Sequence, residues 1–450
     1  MFLKKILKVT YLQNAAVTIE NSGEKILCDP WLIPGCYYGA WHHYPKFNFI
    51  GKEFDDIDYI YISHIHPDHF DIKTMEKLKK DIPVLIHEFP QKFLKANIEK
   101  LGFKVEELAH NKRTNLGKTW INILAADDCN PEICSRSFGC SFEFNKFGTN
   151  QIDTLSVIDN DEQVIVNSND CPWEIGATTA KKIKEQYDKI DLLLVGYTGA
   201  SDYPSCYDLP IDEKEKEAEK KKLKRLRDAE SYINMFNPKF YMPFAGRYVL
   251  GGILTSLMKY KGESTQDEGI NYLLQKINQD QNMGIALNIK SYFDLDTKLV
   301  SDPYVPENKQ EREEYIQNVL SKLKLDYEYE EYPKIESILE LIPKAYDRFE
   351  RHRKMINYSV NTSILIELDN ENMLLVSVNG NGFKIIKRTE INNYSKYLYL
   401  SLDTRLLYKI LQNSKKAHWN NAEIGCHILW KRTPNEYDRA LMYCLNFFHN

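Results

Sequence analysis

Residues 60–71, Ile-Tyr-Ile-Ser-His-Ile-His-Pro-Asp-His-Phe-Asp, hold three histidines and an aspartate within the six positions 64–69. Only 11 histidines occur in all 450 residues, so three of them gathered at one point is a marked concentration. In an extended strand end, His64 and His66 fall on one side, because side chains alternate with period two. Pro67 then turns the chain, and Asp68 and His69 reach a second point close to the first. Imidazole and carboxylate together suit zinc, iron or manganese. One or two divalent ions are therefore expected here, held by His64, His66, Asp68 and His69. Asp68 and His69 are also the candidate catalytic residues, Asp68 as a group that orients a nucleophile or accepts its proton. The bland alternative is a polar loop that happens to be rich in histidine.

The elements that must position this cluster can be read outward from it. A mostly apolar run, Ile57 to Ile62, reads as the buried strand that delivers it, and a helix from Asp71 to about Lys80 follows. Upstream, Ala16-Val-Thr-Ile and Lys25-Ile-Leu-Cys read as two strands joined by the turn Asn21-Ser-Gly-Glu, the second closed by Asp29-Pro-Trp. Downstream come a short strand at Pro83–His87 and a helix at 91–101. Strand-like runs follow at 119–126, 138–144, 154–158 and 163–167, then a helix at 177–187 and a strand at Ile190–Val195. A charged helix spans 211–235. Strands in series with helices between them predict an α/β layered sandwich.

Two prolines in Ser301-Asp-Pro-Tyr-Val-Pro mark an expected boundary between domains 1–300 and 301–450. The second domain reads as a smaller α+β unit. A helix over 308–355 leads into three or four strands within 359–402. A helix at 403–413, a strand at 422–430 and a helix at 435–448 complete it. The run Ala417 to His427 reads as a loop entering a strand that packs on the first domain.

The motif at 64–69 resembles that of the metallo-β-lactamase fold superfamily, and the resemblance covers roughly residues 7–300. Ile-Leu-Cys-Asp29-Pro-Trp-Leu resembles the segment that precedes the metal motif there. It implies an αββα four-layer sandwich, with His64 and His66 on one metal and Asp68 and His69 on the other. Asp170, in Val-Ile-Val-Asn-Ser-Asn-Asp, stands where that superfamily has its bridging aspartate; a turn residue would serve the same dipeptide. Two usual histidines are missing. Ile121-Asn-Ile-Leu-Ala-Ala ends in Asp127-Asp128-Cys129, where either aspartate could be the ligand, and Phe240-Tyr-Met-Pro-Phe-Ala-Gly246 ends without one. His87 and His110 are possible substitutes. Carboxylate in place of imidazole hardens the site toward iron or manganese.

Residues 196–208 and 241–248, with Asp29-Pro-Trp and Asn169-Asp170-Cys171, are similar to the metallo-β-lactamase-like part of the CMP-N-acetylneuraminate hydroxylase family. That family adds a Rieske iron–sulfur domain, whose paired Cys-x-His and Cys-x2-His ligands do not occur in these 450 residues. Oxygenation would thus need a separate electron-transfer partner. In this fold, His42 and His43 lie in a substrate-facing loop, and Tyr203 and Arg247 approach from the other side to meet an anionic group.

Composition excludes other classes. A formal net charge of −5 with 27% charged residues offers no basic stripe for nucleic acid. No run approaches the ~20 apolar residues of a membrane span. Nine scattered cysteines argue against a disulfide framework and for a reducing, cytoplasmic setting. The first expectation is a metal-dependent hydrolase that uses metal-bound hydroxide on a small organic molecule, anionic ones included. Second stands an iron-dependent oxygenase, third a non-catalytic metal-binding protein.

Overall fold

The computed structural model describes residues 7–126, 153–278, 280 and 283–450. Its first part is built on two sheets laid face to face. Edge to edge, the first runs Leu299–Val300, Tyr292–Asp294, Leu7–Gln13, Ala16–Asn21, Glu24–Cys28, Tyr59–Tyr61, Val84–His87 and Val105–Leu108. The second runs Met283–Gly284, Phe240–Phe244, Leu192–Gly196, Val164–Asn167, Thr154–Asp159, Trp120–Ala125 and Thr114–Asn115.

Alternation explains the layering. Val9, Ile26, Tyr61 and Leu85 of the first sheet interlock with Ile123, Leu192, Leu194 and Met242 of the second. The opposite side chains of the first sheet, Leu27, Ile60 and Ile62, meet Met75, Leu94 and Ile98 on the helices Ile72–Lys77 and Phe93–Lys100. Those of the second meet Ile175 and Ile183 on Trp173–Gln186 and Tyr232 and Phe236 on Ile211–Phe236. The result is the αββα order expected from sequence. Residues 127–152, which include Asp127, Asp128 and the strand expected at 138–144, lie outside the described residues.

Beyond Val300 the chain departs from the sequence reading in two places. The helix expected over 308–355 is several pieces: Lys309–Asn318, 3-10 turns at Leu320–Lys322 and Asp326–Tyr329, Ile335–Leu339 and Ile342–Met355. Pro333 removes a backbone donor in the middle, and Pro343 occupies a helix start, where that loss is harmless. Leu325 and Tyr327, at the start of and within the second 3-10 turn, bury in the core shared with the first part. The strand expected at 422–430 is half helix: Trp419–Ile424 is helical, capped by the His418 ring, and the strand is Leu429–Thr433. That strand closes a five-stranded sheet in the order Phe383–Lys387, Asn372–Ser377, Ser363–Glu367, Tyr397–Ser401, Leu429–Thr433. One apolar core runs through the seam, joining Trp31, Trp41, Tyr207 and Tyr248 to Phe349, Ile364, Trp419 and Trp430.

Candidate metal centre

The strand Tyr59–Tyr61 lies between Glu24–Cys28 and Val84–His87, parallel to both. The chain leaves it as the loop Ser63–His69, which turns back on itself through His69 N and Phe70 N donating to His66 O at 3.0 and 2.8 Å. Asp71 then caps the next helix, its carboxylate accepting from Thr74 N at 2.8 Å. Across the sheet interface, Asp170 is delivered by the turn after Val164–Asn167. Asn169 there takes a left-handed φ of 50°, and its side chain donates to Thr154 O at 3.0 Å. Thr154 Oγ1 donates to Ser63 O at 3.1 Å, so the two loops are tied together.

This brings His64, His69 and Asp170 to one point, with one ligand atom from each within 4.8 Å of the others. His69 Nε2 is 3.4 Å from Asp170 Oδ2, and His64 Nε2 is 3.8 Å from Asp170 Oδ1. Ligand atoms at about 2.0–2.2 Å from one ion stand about 3–4 Å apart, so the spacing fits a cation. His66 Nδ1 sits 2.8 Å from His64 Nε2, and Asp68 Oδ2 lies 3.6 Å from His69 Nε2. His69 Nε2 and Asp170 Oδ1 are buried atoms without a hydrogen-bond partner. A donor set left unmated in this way is suited to a metal ion.

Surrounding groups fix the ring orientations. Ser63 N and Oγ both donate to Asp29, to Oδ1 and Oδ2, at 2.7 Å each. His69 Nδ1 meets Asp29 Oδ2 at 3.0 Å, and His64 Nδ1 meets Ser63 Oγ at 2.9 Å. With both Nδ1 atoms as donors, both Nε2 lone pairs face the centre. Asp68 is braced as well: Tyr37 OH donates to Oδ1 at 2.7 Å and Asn14 Nδ2 to Oδ2 at 3.3 Å. Burial and the neighbouring rings push the His64 imidazole well below its usual pKa. Burial also opposes charge on His69, but the carboxylates of Asp170, Asp68 and Asp29 outweigh it and raise its pKa well above the usual value. Against its own burial, Asp170 is held below the carboxylate range by His69 and His64. His66 and Asp170 are half-buried, whereas His64 and His69 are 1% and 0% exposed, so His66 and Asp170 are the outermost members of the group.

The other described candidates make no direct bond to the centre. Among the described residues, no hydrogen bond or ion pair joins His42, His43, Tyr203 or Arg247 to the His64–His69–Asp170 group. His42 Nε2 donates to Gly39 O at 3.0 Å. The His43 ring packs 4.2 Å from Trp31, where burial lowers its pKa to about 3. Tyr203 stacks edge-on against Tyr207 beneath the Arg432 guanidinium. Arg247 turns to Glu307 and Gln266, although its N–H donates to Asn14 Oδ1 at 2.9 Å, one step from Asp68. His87 and His110 face each other at 3.2 Å. Sequence reasoning missed Asn14, Tyr37 and Ser63 as site residues and took Asp29 as a family mark rather than as the brace of His69. The signal for Asp29 was its place before Pro30, at the end of the strand paired with the motif strand.

Residues 8–153 match the family model described as the beta-lactamase superfamily domain. Residues 8–153 are thus similar to that domain, and the two-sheet α/β layering described above agrees with a metallo-β-lactamase-like fold. It is 27% identical over 248 residues to a Mycobacterium tuberculosis protein named provisionally for a Rieske 2Fe-2S iron-sulfur centre; the match covers 53% of this chain and 44% of that protein. It is 23% identical over 317 residues to the cytidine monophosphate-N-acetylneuraminic acid hydroxylase of Asterias rubens, covering 66% and 44%. The chain thus spans less than half the length of these relatives. Among solved structures it is similar to CmlA, a diiron beta-hydroxylase from Streptomyces venezuelae, with 16% identity, TM-score 0.42 and coverage of 65% and 54%. It is also similar to an isothiocyanate hydrolase from Delia radicum gut bacteria, with 13% identity, TM-score 0.44 and coverage of 64% and 98%.

Proposed function

We propose that the chain is an iron-dependent oxygenase acting on a small organic molecule, with electrons supplied by a separate iron–sulfur partner. The observation that carries this reading is the grouping of His64, His69 and Asp170. Two imidazoles and one carboxylate with open positions is the ligand set of non-haem iron oxygenases. The names of the sequence relatives, a hydroxylase and a Rieske protein, support it. When bound, iron would supply one-electron chemistry toward dioxygen at the positions left open.

The protein's own part is orientation and proton handling. Asp29 and Ser63 hold the rings of His69 and His64 so that neither can swing away from the centre. Asp68, fixed by Tyr37 and Asn14 beside His69, is placed to take up or return a proton. Burial, and then the Asp68 charge, keep the Tyr37 hydroxyl protonated well above its usual pKa, so it remains a donor. Substrate approaches over His66 and Asp170.

Hydrolysis is the second reading, and His66 and Asp68 favour it. Together with the first three residues they offer atoms enough for two ions, the arrangement that activates water in many hydrolases.

The test is anaerobic loading with iron(II) or zinc. The oxygenase reading expects an iron–nitrosyl signal by electron paramagnetic resonance on adding nitric oxide, and reductant-driven dioxygen uptake above that of free iron. Absence of both, with the zinc form cleaving an ester, phosphodiester or lactone, would overturn it in favour of hydrolysis.

A further inference from the structure

The stretch Ala417 to His427 supplies no ligand to the metal centre, yet its last residue is set against a strained turn of the first part of the chain. That turn, Gly35 to Gly39, carries the tyrosine whose hydroxyl meets Asp68. Four of its five residues have left-handed φ: Gly35 94°, Tyr37 51°, Tyr38 57° and Gly39 85°. Glycine adopts such angles freely. Two consecutive tyrosines do not, because Cβ crowds the following carbonyl, and the conformation persists only where the surroundings over-determine it.

Much of what holds the turn comes from beyond residue 300. Tyr37 O accepts twice, from Ala40 N at 3.1 Å within the turn and from His427 Nε2 at 2.8 Å. His418 N donates to Tyr38 OH at 2.8 Å. Leu325 and Asp326 press on Gly39 so closely that a Cβ there would stand 3.0 Å from Asp326 N and 3.2 Å from Leu325 Cα. His427 is itself fixed. It is 5% exposed, and Tyr327 OH lies 3.1 Å from its Nδ1. A carbonyl can only accept, so Nε2 carries the ring proton. Burial lowers the ring to about 4 and keeps it neutral, which leaves Nδ1 to accept from Tyr327. Both ring nitrogens therefore have partners, and one partner is the backbone of Tyr37. From that backbone the Tyr37 ring packs 4.5 Å from Trp41, and its hydroxyl donates to Asp68 Oδ1 at 2.7 Å.

We propose that His427 is a positioning residue of the metal centre: by holding the Tyr37 carbonyl it keeps the left-handed turn in place and the Tyr37 hydroxyl on Asp68. The second part of the chain thereby completes a site whose three ligands lie in the first. This role rests on the metal centre proposed above, under either chemistry. A histidine that only filled the seam would leave the centre indifferent to its loss.

The test is a double-variant cycle on the full chain, read as zinc affinity by competition with a chromophoric chelator, with urea unfolding run beside it. Tyr37→Phe removes the hydrogen bond to Asp68, and His427→Phe removes the hold on the turn. Each should weaken zinc binding about fivefold, and the two together also about fivefold, because both act through one hydroxyl. His427→Gln keeps an N–H within reach of Tyr37 O and should bind zinc within about twofold of wild type. His427→Met is a second apolar replacement, so the result does not depend on phenylalanine fitting the seam. Independent losses that multiply to about 25-fold in the double variant overturn the proposal. So does a His427 variant that loses stability but keeps wild-type zinc affinity. A wild type that binds no zinc overturns the metal centre and this role with it, whereas zinc bound normally by the wild type with multiplying losses overturns this role alone.

Discussion

Replacing Asp29 with asparagine keeps the size of the side chain but removes an acceptor where three donors converge. Asp29 takes Ser63 N on Oδ1, and Ser63 Oγ and His69 Nδ1 on Oδ2, at 2.7, 2.7 and 3.0 Å. Asparagine has one oxygen. If it faces His69, the new amide N–H confronts the buried Ser63 N–H, and that unsatisfied donor costs about 1–3 kcal/mol. If it faces Ser63 N, His69 Nδ1 meets a donor, and the ring must either turn or carry its proton on Nε2, the atom that faces the centre. Either way metal affinity falls, by about 10–100-fold on the scale of outer-sphere partners of ligating histidines. The assay is zinc competition against a chromophoric chelator, with urea unfolding of the metal-free chain run beside it. An Asp29→Asn chain that folds and binds zinc within about twofold of wild type would refute the bracing argument.

Zinc affinity should strengthen about tenfold per pH unit across neutrality, because His69, raised by Asp170, Asp68 and Asp29 against its burial, carries one proton that the ion must displace. His64 and His66, both pushed below their usual value first by burial, add no further protons, so a slope near two or three, or a flat profile, contradicts this. Trp41→Ala removes a ring stacked 3.4 Å from Tyr248 in the seam core and should cost about 3–5 kcal/mol in urea unfolding; a loss below about 1 would show that the stack is not part of the core. Tyr37→Phe deletes the donor to Asp68 and should weaken metal binding only modestly, by about 1 kcal/mol, while leaving the fold intact by circular dichroism.

An α/β layered sandwich and the histidine cluster were legible because strand alternation and the His64–His69 spacing are local properties of the chain; the αββα order came through the family resemblance. The pairing of Asp170 with that loop came through the family resemblance, and the structure brings the two within reach across the sheet interface. What sequence could not supply depends on side chains meeting from distant positions. Tyr37, 31 residues before Asp68, reads as one aromatic among many until its hydroxyl is placed. Arg247 reads as an anion receptor, and nothing local in the sequence foretells its ion pair with Glu307, 60 residues on. The helix expected over 308–355 failed for a related reason: burial of Leu325 and Tyr327 in a shared core outweighs local helical preference. The seam itself, where His427 meets Tyr37, joins residues 390 positions apart and has no sequence signature.

The account stands on His64, His69 and Asp170 forming one metal centre, and metal content per folded chain tests that most directly. Elemental analysis should find about one ion or more in the wild type and in His87→Ala, whose ring faces His110 instead of the centre. His64→Ala, His69→Ala and Asp170→Ala should each retain less than about one-tenth of an ion. Wild-type stoichiometry in all three variants, with the fold intact, would contradict it.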